Sequence, residues 1–288
     1  MAVDASELRT ELAGLDALEA DTSEKRSLLQ RLWPRLWPKL AALVIVVGLW
    51  QLVVVSGWKE QYVLPGPAAV GKELLNIVTT GKFWEAVVRT ARRAGWGYGI
   101  SLVIGVVVGG LVAMFKPMRS AVGALITGLQ TMPSIVWFPP AVLLFKLSES
   151  AIAFVVIMGA APAIANGLIS GVDHVPPILA RAGRVLGARG FALFRYVVLP
   201  AALPSFLGGL KQAWAFAWRS LMAAELLATS LGHSIGADLQ AARDISDAKG
   251  MYAMMVVLLV IGLAVDSAFG FADNRLRRRY GLIDLAAK

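Results

Sequence analysis

Apolar residues along this chain gather into blocks, each near the roughly 20 residues that carry a helix across about 30 Å of hydrocarbon. The first block runs from about Leu40 to Trp58 and holds no charge between Ala41 and Gly57. The second, about Ala94 to Phe115, is rich in glycine. Its pairs Gly95/Gly99 and Gly105/Gly109 have the small-xxx-small spacing that permits close helix packing. A third block, about Ser120 to Phe145, is expected to break at Met132-Pro133 and again at Pro139-Pro140. A fourth spans about Ala151 to Ile169 around Pro162, a fifth about Pro200 to Ala228, and a sixth about Met251 to Phe271. A large soluble core would divide such blocks into shorter amphipathic pieces. The pattern therefore predicts an all-α, polytopic membrane protein with about six transmembrane helices.

Between the blocks the chain is polar. Residues 1–39 read as a cytoplasmic tail, partly disordered, acidic from Asp4 to Glu24 and basic from Lys25 to Lys39. No apolar core sits near Met1, so a cleaved secretory signal is not expected. The tail ends in an amphipathic stretch, Leu28 to Trp37, that Pro34 and Pro38 should interrupt, with Trp33 and Trp37 suited to the headgroup level. Leu64-Pro65-Gly66-Pro67 ends any helix, and an amphipathic piece follows from about Ala68 to Thr79. A polar loop occupies Thr229 to Lys249, and residues 275–288 form a basic tail after a transmembrane region over 40–274. Six spans put both termini on one side. Lys116, Arg119, the arginines from Arg181 to Arg195 and the final cluster all favour the cytoplasm as that side of a cell membrane. Arg89, Arg92 and Arg93 run against this count, unless they face a protein interior.

Composition agrees with the pattern and narrows the chemistry. The 288 residues are 57% hydrophobic and 16% charged, where a soluble domain is nearer 25% charged. The net charge of +9 is the positive-inside excess of a membrane protein rather than a nucleic-acid surface. With no cysteine and only His174 and His233, a metal centre is poorly supplied. No Gly-rich phosphate loop ending in Gly-Lys-Ser/Thr is present, so any nucleotide chemistry belongs to a partner.

The loop 173–200 carries the most information. Pro176-Pro177 can open a helix, and Ile178, Leu179, Ala182, Val185 and Leu186 recur at helical spacing with Arg181, Arg184 and Arg189 between them. Gly187 and Gly190 can release that helix into a left-handed turn, and a second short apolar helix, Phe191 to Val198, reaches Leu199-Pro200. Physics alone leaves two readings open: a helix offered to a partner's groove, or one lying on the membrane surface. The stretch resembles the EAA loop of ABC-importer permeases, whose pattern is E-A-A, three residues, G, nine residues, I, one residue, L-P. Arg181-Ala182-Gly183 take the E-A-A positions, Gly187 the glycine, Val197 the isoleucine and Leu199-Pro200 the ending. The spacing is complete, and the acidic first position is replaced by arginine.

The resemblance extends over most of residues 40 to 280 and is closest to the nitrate/sulfonate/taurine permeases. It is carried by Leu64-Pro65-Gly66-Pro67, the Met132-Pro133 break, the run from Val197 to Pro204, and Ala217-Trp218 ahead of Ala224-Glu225-Leu226-Leu227. It implies a type I ABC-importer permease fold with a cytoplasmic coupling helix. Arg181, Ala182, Gly183, Val185, Leu186, Gly187, Ala188, Phe191, Leu199 and Pro200 are then expected to contact the ATPase. It also implies a second permease copy, an extracytoplasmic solute-binding protein, and ATP with its magnesium held by the partner ATPase. The cargo it implies is a small anion, an aliphatic sulfonate or taurine first and nitrate next. Bicarbonate or a pyrimidine-type vitamin precursor remain alternatives, since related permeases serve those too. Where the subfamily often has a W-F-G-like end to the third segment, Leu144-Phe145-Lys146-Leu147 stand here, which weakens any carry-over of substrate.

Ionisable residues inside spans usually face a bundle interior or a water path. Arg219 is read as positive potential along an anion route, and Glu225 as its structural or gating companion on another face, because six residues do not align on a helix. Gln130, Thr131, Pro133 and Ser134 surround the break in the third block and are candidates for lining the route, as are Trp214 and Trp218, which share one face. Lys211 is expected to snorkel at the cytoplasmic end. A secondary transporter, the competing class, would show an internal repeat, and none is evident. A membrane enzyme would need a converging set of reactive groups that this composition does not supply.

Overall fold

The computed structural model describes residues 28–279. Among them all regular structure is helical. The described residues divide into two compact units, one ending at Gln61 and the other beginning at Tyr62. In the first unit, one helix, α1 (Leu28–Val55), contains the apolar span Trp37–Val55. It passes through Pro34 and Pro38 without a break, contrary to the expected interruption. A proline removes one N–H donor, and the remaining ladder carries the helix on.

The second unit begins with α2 (Pro67–Val78), started by Pro67 in its first turn. Next comes α3 (Gly81–Met114), whose Thr80 side chain caps the Phe83 N–H. This helix starts well before Ala94, so Arg89, Arg92 and Arg93 are part of the helix itself rather than of a preceding loop. Then follow α4 (Lys116–Thr131), a 3-10 turn (Ser134–Trp137), α5 (Phe138–Phe145) and α6 (Glu149–Asp173). After α7 (Pro177–Val185) the chain enters α8 (Gly190–Leu227), α9 (Ile235–Asp244) and α10 (Ala248–Arg279). Among the described residues five helices are long and apolar enough to cross a membrane, or six when the α4–α5 pair, bent by 101°, is taken as one broken span.

Glycines set the packing at the centre. A Cβ on Gly105 would lie 2.7 Å from Ile164 Cγ2, and one on Gly109 would lie 2.7 Å from the Ala165 carbonyl oxygen. The small-residue pattern read from the sequence is thus used to bring α3 against α6 backbone to backbone. Because Gly97 meets Val156 while Gly109 meets Ala165, the two helices run parallel. The opposite face of α6 meets α8 at Gly167 and Gly209, where an added Cβ on Gly167 would stand 2.8 Å from the Gly209 Cα. There Gly159 faces Ser220 and Gly171 faces Ala202, so α8 is antiparallel to α6. α6 is therefore the buried centre, with Ile152, Val155, Val156, Ile164 and Leu168 almost fully enclosed.

Two parallel neighbours require the chain to return between them. The α4–α5 pair makes that return. Ile126 packs with Val112 and Ile169 at one end of the bundle, while Ala141 packs with Ile152 and Val155 at the other. The bend falls at Met132-Pro133 as the sequence predicts. Pro139 and Pro140 do not break the chain; they open α5, where their missing donors are unused. At the bend the Asn166 amide donates to Gln130 Oε1 at 3.2 Å.

Replacing Gly109 by valine should force α3 off α6 and cost roughly 1–3 kcal/mol of stability. At the next position, Gly110, an added Cβ meets nothing nearer than Leu168 Cδ2 at 3.9 Å, so Gly110→Ala should cost nothing and stabilise the helix by up to about 1 kcal/mol. Thermal unfolding of the two purified variants in detergent checks the contrast.

Candidate functional site

At the Asp173 end of the bundle, α6 stops and a helical hairpin begins. Helix α7 ends in a turn that the sequence dictates. Gly187 has φ +90°, its N–H donates to the Arg184 carbonyl at 3.1 Å, and the Ala188 N–H reaches the Gly183 carbonyl at 2.9 Å. These two bonds around a left-handed residue form a Schellman motif, and glycine adopts that φ without strain. A second left-handed residue, Gly190 (φ +52°), starts α8. The second short helix expected at Phe191 to Val198 is not separate. It is the first part of α8, and it passes through a π turn at Phe194–Val198 straight into Leu199 and Pro200.

Gly183 is the residue that folds the hairpin shut. It is buried, and a Cβ there would come within 2.8 Å of Leu193 Cδ1 and 2.9 Å of Val197 Cγ2. The opposite side of the hairpin is uncovered. Val185 is 88% exposed and Leu186 86%, with Ile178, Leu179 and Phe191 also exposed. Arg181, Ala182, Arg184 and Arg189 surround them and are exposed as well, while Ala188 and the Leu199-Pro200 pair are half-buried. The structure therefore brings the hairpin residues together as one apolar knob ringed by arginines. Behind it, Arg119 and Asp173 form an ion pair that ties α4 to the end of α6. His174 bonds only locally, to the Ser170 carbonyl at 2.7 Å.

The opposite end is held by buried charge. Glu225 is fully buried, and its carboxylate accepts from Thr90 Oγ1 at 2.9 Å, Arg93 Nη1 at 2.9 Å and the Gly236 N–H at 3.1 Å. Arg93 also reaches the half-exposed Glu149, through Nε at 2.7 Å and Nη2 at 2.6 Å. Thr90 Oγ1 in turn accepts from the Ile235 N–H at 3.1 Å. A neighbouring arginine, Arg89, donates to the Leu231 carbonyl at 2.8 Å beside Gly232, which has φ +92°. Four segments, α3, α6, α8 and the start of α9, are thus joined through one carboxylate. Glu225 is a tie within this bundle, and Arg219 takes no part in it.

The other membrane-depth candidates separate. Trp214 and Trp218 stack at 6.2 Å between centroids, and Tyr98 and Phe269 pack on Trp214. Thr131 Oγ1 donates to the Gly128 carbonyl at 2.7 Å, beside the extended Met132 and Pro133 that leads into Ser134. Gln130 pairs with Asn166 as described above. Arg219 is exposed, donates from Nε to the Ala215 carbonyl at 3.1 Å, and lies 4.7 Å from the Phe216 ring centre. Lys211 does not snorkel to an end of the helix; it pairs with Asp266 of α10 at 2.9 Å. Asp266, Thr90, Glu149 and Asn166 were not singled out from the sequence. The signal for Glu149 and Glu225 was available: arginines inside an apolar helix need carboxylates at the same depth.

A bundle of apolar helices closed internally by ion pairs, with an uncovered hairpin beyond one end, defines a multi-pass membrane protein. Residues 101–278 match the family of binding-protein-dependent transport system inner membrane components. The chain belongs to that family, and it is the membrane permease subunit of an ABC importer, in which a separate ATPase hydrolyses ATP. It is 27% identical over 82% of its length to a "Probable ABC transporter permease protein" of Brucella melitensis, covering 94% of that protein. A nitrate import permease of Leptolyngbya laminosa is 26% identical over 82% of this chain and 85% of its own. The taurine transport system permease of Escherichia coli is 24% identical over 84% and 89%. A chain from the MetNI methionine ABC transporter, solved in inward-facing conformations, shares the fold with a TM-score of 0.57 at 20% identity, over 69% of this chain and 95% of that one.

Removing one member of the buried tie should be severe, because the other charges stay buried without it. Glu225→Met or Arg93→Met is expected to cost about 3–5 kcal/mol, while the Arg93→Met/Glu225→Met double variant should cost less than the two single losses together. Unfolding of the four proteins in detergent reads the coupling directly.

Proposed function

We propose that this permease docks its ATPase through the α7–Gly187–α8 hairpin, forms the membrane route with a second copy of itself, and imports a small anion. The observation that carries the docking is the exposure of Val185 and Leu186. Large apolar side chains uncovered at the tip of a helical hairpin fit a partner's hydrophobic groove. The EAA-type spacing from Arg181 to Pro200 falls on this same hairpin. Arg181 stands where the family pattern has an acid, so the groove that receives α7 carries acidic side chains at its edge.

Orientation follows from the same charges. The hairpin arginines, Arg119 and Arg275, Arg277 and Arg278 gather at one end of the bundle, which is the cytoplasmic end. In this reading an even number of passages and the basic residues ahead of the first span put both termini in the cytoplasm. The other end, with α9 and the loop around His233 and Asp238, faces the solute-binding protein. ATP and its magnesium are held by the ATPase subunits. The anion reading, a sulfonate such as taurine or else nitrate, draws on the relatives' named cargoes and on Arg219 in α8.

Charging the knob tests the docking. Val185→Glu with Leu186→Glu should leave the protein in the membrane with unchanged thermal stability. Copurification of the ATPase should fall at least about ten-fold, since such hot-spot pairs are worth 1.4 kcal/mol or more. ATPase retention at the wild-type level would remove the hairpin from the interface.

A further inference from the structure

Helices that border lipid expose large apolar side chains, and α3 and α10 do so. On α3, Val103, Val107 and Leu111 are exposed, and on α10, Leu259, Val260 and Leu263. The exposed face of α8 is different. From Leu199 to Leu226 no large hydrophobic side chain is exposed. The exposed residues there are Ser205, Gly208, Gln212, Ala215 and Arg219, which repeat at alternating steps of three and four and so form one stripe along the helix.

The stripe crosses the middle of the bundle. Arg219 is eight residues from the helix end at Leu227, roughly 12 Å along the axis. Its neighbour Ser220 faces Gly159, near the middle of α6. A guanidinium at that depth requires a carboxylate or water. Among the described residues the other ionisable groups that α8 carries at depth are paired: Lys211 with Asp266, and Glu225 with Arg93. Arg219 has no carboxylate partner among the described residues; its Nε is spent on its own helix and one face of the guanidinium lies against Phe216. The Nη edge is left for something the described residues do not supply.

We propose that this stripe is the wall of the water-filled route and that Arg219, with Gln212 two turns away, is the contact for the cargo's oxyanion group. This rests on the reading of the chain as an importer of small anions. A guanidinium presents planar paired donors that match a sulfonate or similar oxyanion. The Gln212 amide adds neutral donors on the same line, and Gly208 and Ala215 leave room between them. The charge is fixed within a low-dielectric surround, which concentrates anions over cations along the wall.

The chain contains no cysteine, so single cysteines give a clean readout. The experiment uses the assembled importer in membrane vesicles, with thiol reagents supplied to both faces. Ser205→Cys, Gln212→Cys and Ala215→Cys are compared with Val103→Cys and Leu263→Cys on the lipid-type faces. The probes are the sulfonatoethyl and trimethylammonioethyl methanethiosulfonates, each rate divided by that reagent's rate with a free thiol. Stripe cysteines should react at least about ten-fold faster than the controls, as expected of hydrated rather than lipid-facing positions. Ala215→Cys should favour the anionic probe about five-fold or more, a preference that Arg219→Gln abolishes and Arg219→Lys keeps. Millimolar ethanesulfonate should slow the reaction at Ala215→Cys only when Arg219 is present. Stripe cysteines as unreactive as the controls, or an anion preference that survives Arg219→Gln, would overturn the proposal. Labelling is read without transport, so ATP-driven uptake by an importer whose stripe stays unreactive contradicts this proposal alone.

Discussion

Everything at the α9 end of this bundle depends on the satisfaction of one buried carboxylate. Glu225 can stay in a fully enclosed position only because a hydroxyl, a guanidinium and a backbone N–H converge on it. Those three donors come from Thr90 and Arg93 on α3 and from Gly236 at the start of α9, while Glu225 itself is on α8. Arg93 extends the tie to Glu149, the first residue of α6. The interaction therefore sets the relative height of three helices and pins the chain that follows α8. No comparable constraint comes from apolar packing in a bilayer, where lipid competes for every apolar contact.

Below the tie, small residues take over. Gly105 and Gly109 on α3 and Gly167 and Gly209 between α6 and α8 let backbones approach to distances that any side chain would forbid. The result is a closely packed three-helix centre. One of the three, α8, runs unbroken from Gly190 in the hairpin to Leu227 near the tie. A displacement of the hairpin is a displacement of one end of that same helix, and its polar stripe lies between. The π turn at Phe194–Val198 is where the helix's ordinary ladder is interrupted, between the exposed knob and the membrane bundle.

Much of this was legible in the sequence. The apolar blocks marked the five long spans and the bent pair between α3 and α6, because spanning a bilayer demands length and apolarity that hardly any other structure needs. Met132-Pro133 gave the bend, and Gly187 with its Leu-Pro spacing gave the hairpin. Less legible was anything that depends on depth or partner. The helix at Gly81–Met114 looked as though it began after its arginines, since periodicity reports apolarity and not pairing. Lys211 looked terminal because Asp266 lies 55 residues away in sequence and 2.9 Å away in space. Pro34 and Pro139 looked like breaks because a proline's local cost is visible and the ladder that absorbs it is not. Gly183 stands where the family pattern has alanine, and the structure gives its reason: Leu193 and Val197 occupy the space an alanine would take.

The central claim is that this chain moves cargo only as the membrane part of an ATP-driven importer. Its most direct test is reconstitution of the purified permease into liposomes, with and without its ATPase and solute-binding protein, followed by uptake of labelled taurine and nitrate. Uptake of one of these anions that requires all three components, and ATP on the hairpin side, is the result the structure predicts. Full-rate uptake by the permease alone, driven by an ion gradient, would contradict it.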